Sequence, residues 1–255
     1  MSEETVSKSA SHGTNPFAKD LGFEASEAYN VLRTNLILSL PGLARGKIIG
    51  VTSSNPHEGK SYSTVNLAFA LAKNGDKTLL INADMRKPTI ENYYKVPLTP
   101  GLSNLLTGNS NEYNELELCR QMTEYNENLY VLAAGDIPPN PSELLGSRMM
   151  TELLERLSKT FAYILVDLPP VTTVVDPIAI SQNLDGMLLV VRHGYSRKRM
   201  LNQAVKQLRF ANVRVLGFIY NGYSKHSGSY YRRKSKKTEK EDNYSANYYN
   251  SYYKR

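Results

Sequence analysis

Ser53-Ser54-Asn55-Pro56-His57-Glu58-Gly59-Lys60-Ser61 is the stretch on which the fold turns. It follows a short apolar run, 47–52. It leads into 60–73, where Val65, Leu67, Ala68, Leu71 and Ala72 recur at helical spacing before Asn74-Gly75 ends the pattern. A loop of this kind between a strand and a helix has the context of a phosphate-binding P-loop. Backbone amides of the loop and of the helix N-terminus converge on anionic oxygens. Gly59 permits close backbone approach, Lys60 brings a point charge to the β- and γ-phosphates, and the Ser61 hydroxyl can ligate Mg²⁺. Ser54, Pro56, His57, Glu58 and Tyr62 complete the expected nucleotide lining. Ser54 stands where the GxxxxGK[ST] pattern has its first glycine.

Outward from the loop, the runs 78–82, 129–133, 163–167, 186–191 and 215–220 alternate with helix-like segments, among them 142–159 and 196–210. Apolar strands alternating with helices predict a doubly wound, mostly parallel α/β sheet covered on both faces. Ala28, Val31, Leu32, Leu36 and Leu40 predict an amphipathic helix over 24–40. The less regular stretch 92–128 reads as a surface excursion. Residues 1–20 read as a disordered arm, 21–222 as one domain, and 223–255 as a flexible tail.

Two carboxylates end predicted strands: Asp84 after Asn82-Ala83, and Asp167 before Leu168-Pro169-Pro170. At the carboxyl ends of parallel strands they flank the nucleotide crevice, where they can hold Mg²⁺ or its waters. Arg86 has two readings, a phosphate contact or a structural ion pair. Asp176 reads as a helix cap, and Asn221 as an adenine contact or a turn residue. A single cysteine, Cys119, excludes an internal disulfide framework. The longest apolar stretches are too short for a transmembrane helix, and the chain lacks a signal-peptide core. Of the net charge of +7, the segment 223–255 carries +6, from nine Lys/Arg against three Asp/Glu. That excess sits in a tail, not on a folded face, so it argues against a nucleic-acid partner and fits a solvated tail or an anionic surface. Seven of the last 26 residues are tyrosine: Tyr230, Tyr231, Tyr244, Tyr248, Tyr249, Tyr252 and Tyr253. Nothing around them is apolar enough to pack.

These motifs resemble the bacterial tyrosine kinases of capsule and exopolysaccharide operons, relatives of the partitioning and septum-placing ATPases. The P-loop is similar to that family's Ser-Ser-x-Pro-Gly-Glu-Gly-Lys-Ser. Asn82–Arg86 matches an Asp-x-Asp-Met-Arg motif, and Val166–Pro170 a Val-Asp-x-Pro-Pro motif; 138–145 reads Pro-Pro-Asn-Pro-Ser-Glu-Leu-Leu. The resemblance spans Glu27 to Asn221 and implies ATP and Mg²⁺ as cofactors. Lys60, Asn82, Asp84 and Asp167 become the catalytic set, with Ser61, Asp84 and Asp167 on the metal. The tail tyrosines become autophosphorylation sites, used in trans in a ring of subunits joined through Glu27 and Arg33. It further implies a membrane activator of the chain-length-determinant (polysaccharide co-polymerase) type, an opposing tyrosine phosphatase, and a cytoplasmic location at the inner face of the membrane. Three positions depart from the pattern: His57 for a loop glycine, Asn30 in the contact helix, and Asn82 for an aspartate. An amide at 82 can hydrogen-bond but cannot take a proton, and a lost general base costs roughly 10²–10⁴-fold in rate. Reduced turnover with retained Mg-ATP binding is therefore expected. The alternatives are an ATP-binding scaffold that is weak or silent in catalysis and a partitioning-type ATPase.

Overall fold

Alternation along the strands sets the layers of this α/β protein. The computed structural model describes residues 17–40, 42, 45–107 and 113–222. The seven tail tyrosines and most of the expected N-terminal arm lie outside the described residues. Seven strands, β1 (Lys47–Ser53), β2 (Thr78–Asn82), β3 (Arg120–Gln121), β4 (Leu129–Leu132), β5 (Tyr163–Asp167), β6 (Gly186–Arg192) and β7 (Val215–Asn221), form one sheet in the order β3-β4-β2-β5-β1-β6-β7. All neighbours are parallel except the short edge pair β3 and β4.

Successive strand side chains point to opposite faces. Ile49, Val51, Leu80 and Leu165 therefore pack on one side with Val65, Leu67 and Leu71 of α2 (Lys60–Lys73). Ile48, Leu79, Ile81, Ile164 and Val166 pack on the other, beneath α7 (Arg148–Leu157) and α9 (Lys198–Phe210). Each fully buried leucine or isoleucine in these layers contributes about 1.5–3 kcal/mol. Helix α1 (Phe23–Ser39) lies over α2 and buries Leu36, while Leu40 beyond its end is also buried. Val31, expected on the covered side, is exposed together with Phe23 and Leu38.

Three further expectations change. Phe17 and Ala18 are buried, so the arm expected over 1–20 does not reach that far. Phe17 inserts among Tyr93, Tyr94 and Tyr125 at ring distances of 5.3, 5.7 and 5.5 Å, and the Ala18 amide donates to Asn66 Oδ1 at 2.8 Å. The stretch 92–128 is more than a surface excursion. It holds part of α3 (Ile90–Tyr94), α4 (Leu102–Leu106), α5 (Glu115–Leu118) and β3, and buries Tyr94 in one core layer and Leu102, Leu105, Leu106 and Leu118 in the other. The helix expected over 142–159 divides into α6 (Pro141–Leu145) and α7 at Gly146-Ser147, where the Ser147 hydroxyl caps α7 by accepting from the Met150 amide. A final short helix, α8 (Asp176–Ala179), follows the segment that leaves β5.

Candidate active site

Strand order decides what meets the P-loop. β1 lies between β5 and β6, so the loop leaving β1 emerges beside the end of β5, and β2 ends one strand further on. Register places Val51 opposite Asp167, and Asp167 opposite Asn82. The three carboxyl ends therefore open onto one crevice, as the doubly wound topology requires of a ligand site.

Within the loop, Glu58 is fully buried and turned inward. Its carboxylate accepts from the Ser54 amide at 2.8 Å, the Ser54 hydroxyl at 2.8 Å, the Asn55 amide at 3.0 Å and the Ser196 hydroxyl at 2.5 Å. This accounts for Ser54 in a glycine position, because its hydroxyl is a donor to a buried charge. It also moves Glu58 from the expected nucleotide lining to the scaffold that shapes the loop. Asn221 is placed likewise: its amide donates to the Glu58 carbonyl at 3.0 Å and Arg192 donates to the His57 carbonyl at 2.9 Å. Gly59 has φ +87°, and a Cβ there would lie 2.0 Å from Asn221 Nδ2, so only glycine fits. His57 also holds a left-handed backbone, φ 63°, where glycine is unstrained. Burial, then the charges of Lys87 and Arg192, lowers the His57 pKa.

Gly59 is the N-cap of α2 and offers its first-turn amides no side-chain acceptor. Lys60 and Ser61 follow and turn toward the carboxylates. Lys60 Nζ lies 2.9 Å from Asp84 Oδ2 and 3.4 Å from Asp167 Oδ2, and the Ser61 hydroxyl donates to Asp167 Oδ2 at 2.5 Å. Thr64, which the sequence reading missed, donates to Asp167 Oδ1 at 3.2 Å from one turn further along α2. Complete burial raises the Asp167 pKa; Lys60 and Ser61 oppose that shift and Asp84 adds to it. Burial outweighs the ammonium because the carboxylate has lost its water on every side. The Tyr62 side chain is half-buried and packs on the same core cluster as Tyr29 and Tyr93. Tyr93 is within electrostatic reach of Asp167 and Lys60, and burial raises its pKa.

Arg86 has a protein partner. Its guanidinium grips the fully buried Asp176 through Nε at 2.9 Å and Nη2 at 3.1 Å, and the Ser142 hydroxyl donates to the same carboxylate at 2.6 Å. Of the two readings of Arg86, the ion pair is the one observed, and Asp176 is its anchor rather than a simple helix cap. The pair ties the ends of β2, α6 and α8 together. Thr172 donates to the Ser54 carbonyl at 2.5 Å and Thr52 to the Pro169 carbonyl at 2.7 Å, which clamps the segment after Asp167 to the P-loop. Within the chain, Arg33 donates to the Ala70 carbonyl at 3.2 Å in the last turn of α2, while Glu27 is exposed and accepts from Asn30 at 2.8 Å. A cation at a helix C-terminus is favourable there.

The donor set fits a Mg²⁺-nucleotide. A lysine, a serine hydroxyl and two carboxylates converge at an uncapped helix N-terminus reached through an obligatory glycine. No cluster of three His, Cys, Asp or Glu suited to a metal occurs among the described residues. Mg²⁺ characteristically takes one or two protein oxygens and completes its shell with phosphates and water. No described helix is long and apolar enough to cross a membrane.

Residues 46–212 match the family model described as an AAA domain. The chain is 37% identical over 200 residues to the tyrosine-protein kinase CpsD of Streptococcus pneumoniae serotype 4, covering 78% of this chain and 84% of that one. It is 35% identical over 204 residues to the tyrosine-protein kinase YwqD of Bacillus subtilis, covering 79% and 84%. Among solved structures, the kinase domain of the Escherichia coli tyrosine kinase ETK superposes with a TM-score of 0.74 at 29% identity, covering 82% of this chain and 80% of that one.

Proposed function

The chain belongs to the bacterial tyrosine-protein kinases, and from that premise we propose that it passes the γ-phosphoryl group of ATP to the tyrosines of its own C-terminal segment, in trans between subunits. The observation that carries this reading is the convergence of Lys60, Ser61, Asp84 and Asp167 within 3.4 Å at the P-loop.

Phosphoryl transfer asks for positioning and charge neutralisation more than covalent chemistry. Lys60 exchanges its carboxylate partners for β- and γ-phosphate oxygens. Ser61, Asp84 and Asp167 would hold the metal or its water shell, and Mg²⁺ when bound would neutralise charge that develops on those phosphates. Loop amides from His57 to Ser61 orient the phosphates, and the Glu58 brace keeps them aimed. Asp84 and Asp167 are also the carboxylates of this site that can take up a tyrosyl proton. Acceptor hydroxyls are supplied by Tyr230, Tyr231, Tyr244, Tyr248, Tyr249, Tyr252 and Tyr253.

The same reading places the protein at the inner face of the membrane, in a homo-oligomeric ring with a polysaccharide co-polymerase partner, regulating capsule or exopolysaccharide synthesis. A tyrosine phosphatase would reverse the modification. Each phosphate adds nearly two negative charges, so modification at several of the tyrosines inverts a segment of net +6 and opposes the assembly. Mixing two full-length proteins tests transfer in trans. One carries Lys60→Met and intact tyrosines; the other has an intact P-loop and phenylalanine at all seven tail positions. Phosphotyrosine on the Lys60→Met partner is the expected result. Phosphate on neither partner, alongside an active parent, would place transfer within one subunit. A silent parent that still binds Mg-ATP would favour the scaffold alternative.

A further inference from the structure

Asn82 and Glu91 form a buried pair that neither the P-loop nor the two metal-side aspartates account for. Asn82 is fully buried and Glu91 is 7% exposed. The Asn82 amide donates to both Glu91 oxygens, at 3.0 and 2.8 Å, while its own oxygen accepts from the Asp84 backbone amide at 3.2 Å. Glu91 also accepts from the Ala134 amide at 2.8 Å, just beyond the end of β4. This network fixes the orientation of the Asn82 amide, since the reverse would set its oxygen against a carboxylate. A chain of bonds thus runs from the end of β4 through Glu91 and Asn82 to the backbone of Asp84, whose carboxylate meets Lys60.

We propose that Asn82 and Glu91 act as one positioning unit, in which a single negative charge, carried here by Glu91, is held beside the site by the amide of Asn82 and fixes the Asp84 backbone. The inference rests on the kinase reading above for its activity arm. It reverses the expectation that an aspartate at 82 raises turnover. Ionised aspartate cannot donate, so Asn82→Asp sets two buried carboxylates against each other where two hydrogen bonds existed, or makes one of them take up a proton. Combining Asn82→Asp with Glu91→Gln swaps the pair and satisfies every partner. The carboxylate, now at position 82, would accept from the amide at position 91 and from the Asp84 backbone. The amide oxygen at position 91 would accept from Ala134.

Four full-length proteins test this: the parent, Asn82→Asp, Glu91→Gln, and the double variant. Melting temperature and Mg-ADP affinity are read without turnover, and autophosphorylation is read separately. Asn82→Asp is expected to melt about 5–10 °C lower. Each single variant is expected to lose about tenfold or more in autophosphorylation, the usual scale for a group that orients a metal-site residue. The double variant should regain the melting temperature and return to within about threefold of the parent rate, as coupled partners do. Asn82→Asp as stable as the parent and more active, or a double variant no better than Asn82→Asp, would overturn the proposal. If Asn82→Asp does not fold, a folded and active double variant supports the pair, and Glu91→Gln at the parent rate and stability refutes it. A parent that transfers no phosphate would defeat the kinase reading, while the melting and affinity pattern still decides the pair.

Discussion

Lys60→Met is expected to lower autophosphorylation by about 10³-fold, the scale of removing a cation from a phosphoryl-transfer site. A second, independent effect follows from its surroundings. Lys60 lies 2.9 Å from Asp84 and 3.4 Å from Asp167, and both carboxylates are buried. Removing the ammonium leaves them facing each other without a counter-charge, a loss of about 3–5 kcal/mol when a buried pair is broken from one side. For a domain of this size that corresponds to a melting temperature lower by roughly 10 °C in Mg²⁺-free buffer. Mg²⁺ should restore part of the difference, since a divalent ion supplies the charge that lysine no longer does. A variant that melts with the parent and binds ADP as tightly would show that Lys60 neither balances the aspartates nor meets phosphate.

Asp167→Asn should be as inactive as Lys60→Met within about tenfold, yet carry the opposite stability signature. The Asp167 carboxylate is fully buried, and burial raises its pKa despite two donors and an ammonium, so the ionised form is held at a desolvation cost. Asparagine has the same shape, can accept from Ser61, and has no charge to desolvate. Without nucleotide or Mg²⁺ the variant should melt at or above the parent temperature, while phosphoryl transfer falls by about 10²–10³-fold with loss of the metal-side oxygen. Paired scanning calorimetry and phosphotyrosine time courses read both effects. An unstable Asp167→Asn would make this carboxylate a structural anchor. An active one would remove it from the metal site.

How far the sequence carried the reading follows from what each residue depends on. Strand cores such as Tyr163–Asp167 are apolar on both faces, and the P-loop is local in sequence, so fold and phosphate site were legible together. Asp84 and Asp167 were legible because strand ends have a known place in this topology. Glu91 was not. It sits on α3, nine residues beyond Asn82, and gains its meaning only from the fold that brings the two side chains into contact. Phe17 was missed for the same reason: no apolar period surrounds it in sequence, and its packing partners lie at Tyr93, Tyr94 and Tyr125. The α2 carbonyl that Arg33 meets is likewise visible only in three dimensions. Glu58 read as a ligand because loop motifs do not reveal which way a side chain turns.

The central claim is that this P-loop site phosphorylates the tyrosines of its own chain. Intact-mass and peptide-level mass spectrometry of the full-length protein, before and after incubation with Mg-ATP and again with the metal chelated, tests it most directly. The account predicts added phosphates confined to the cluster from Tyr230 to Tyr253, dependent on Mg-ATP and absent from the Lys60→Met protein. Unmodified tyrosines in a protein shown to bind Mg-ATP, or modification that persists in Lys60→Met, would contradict it.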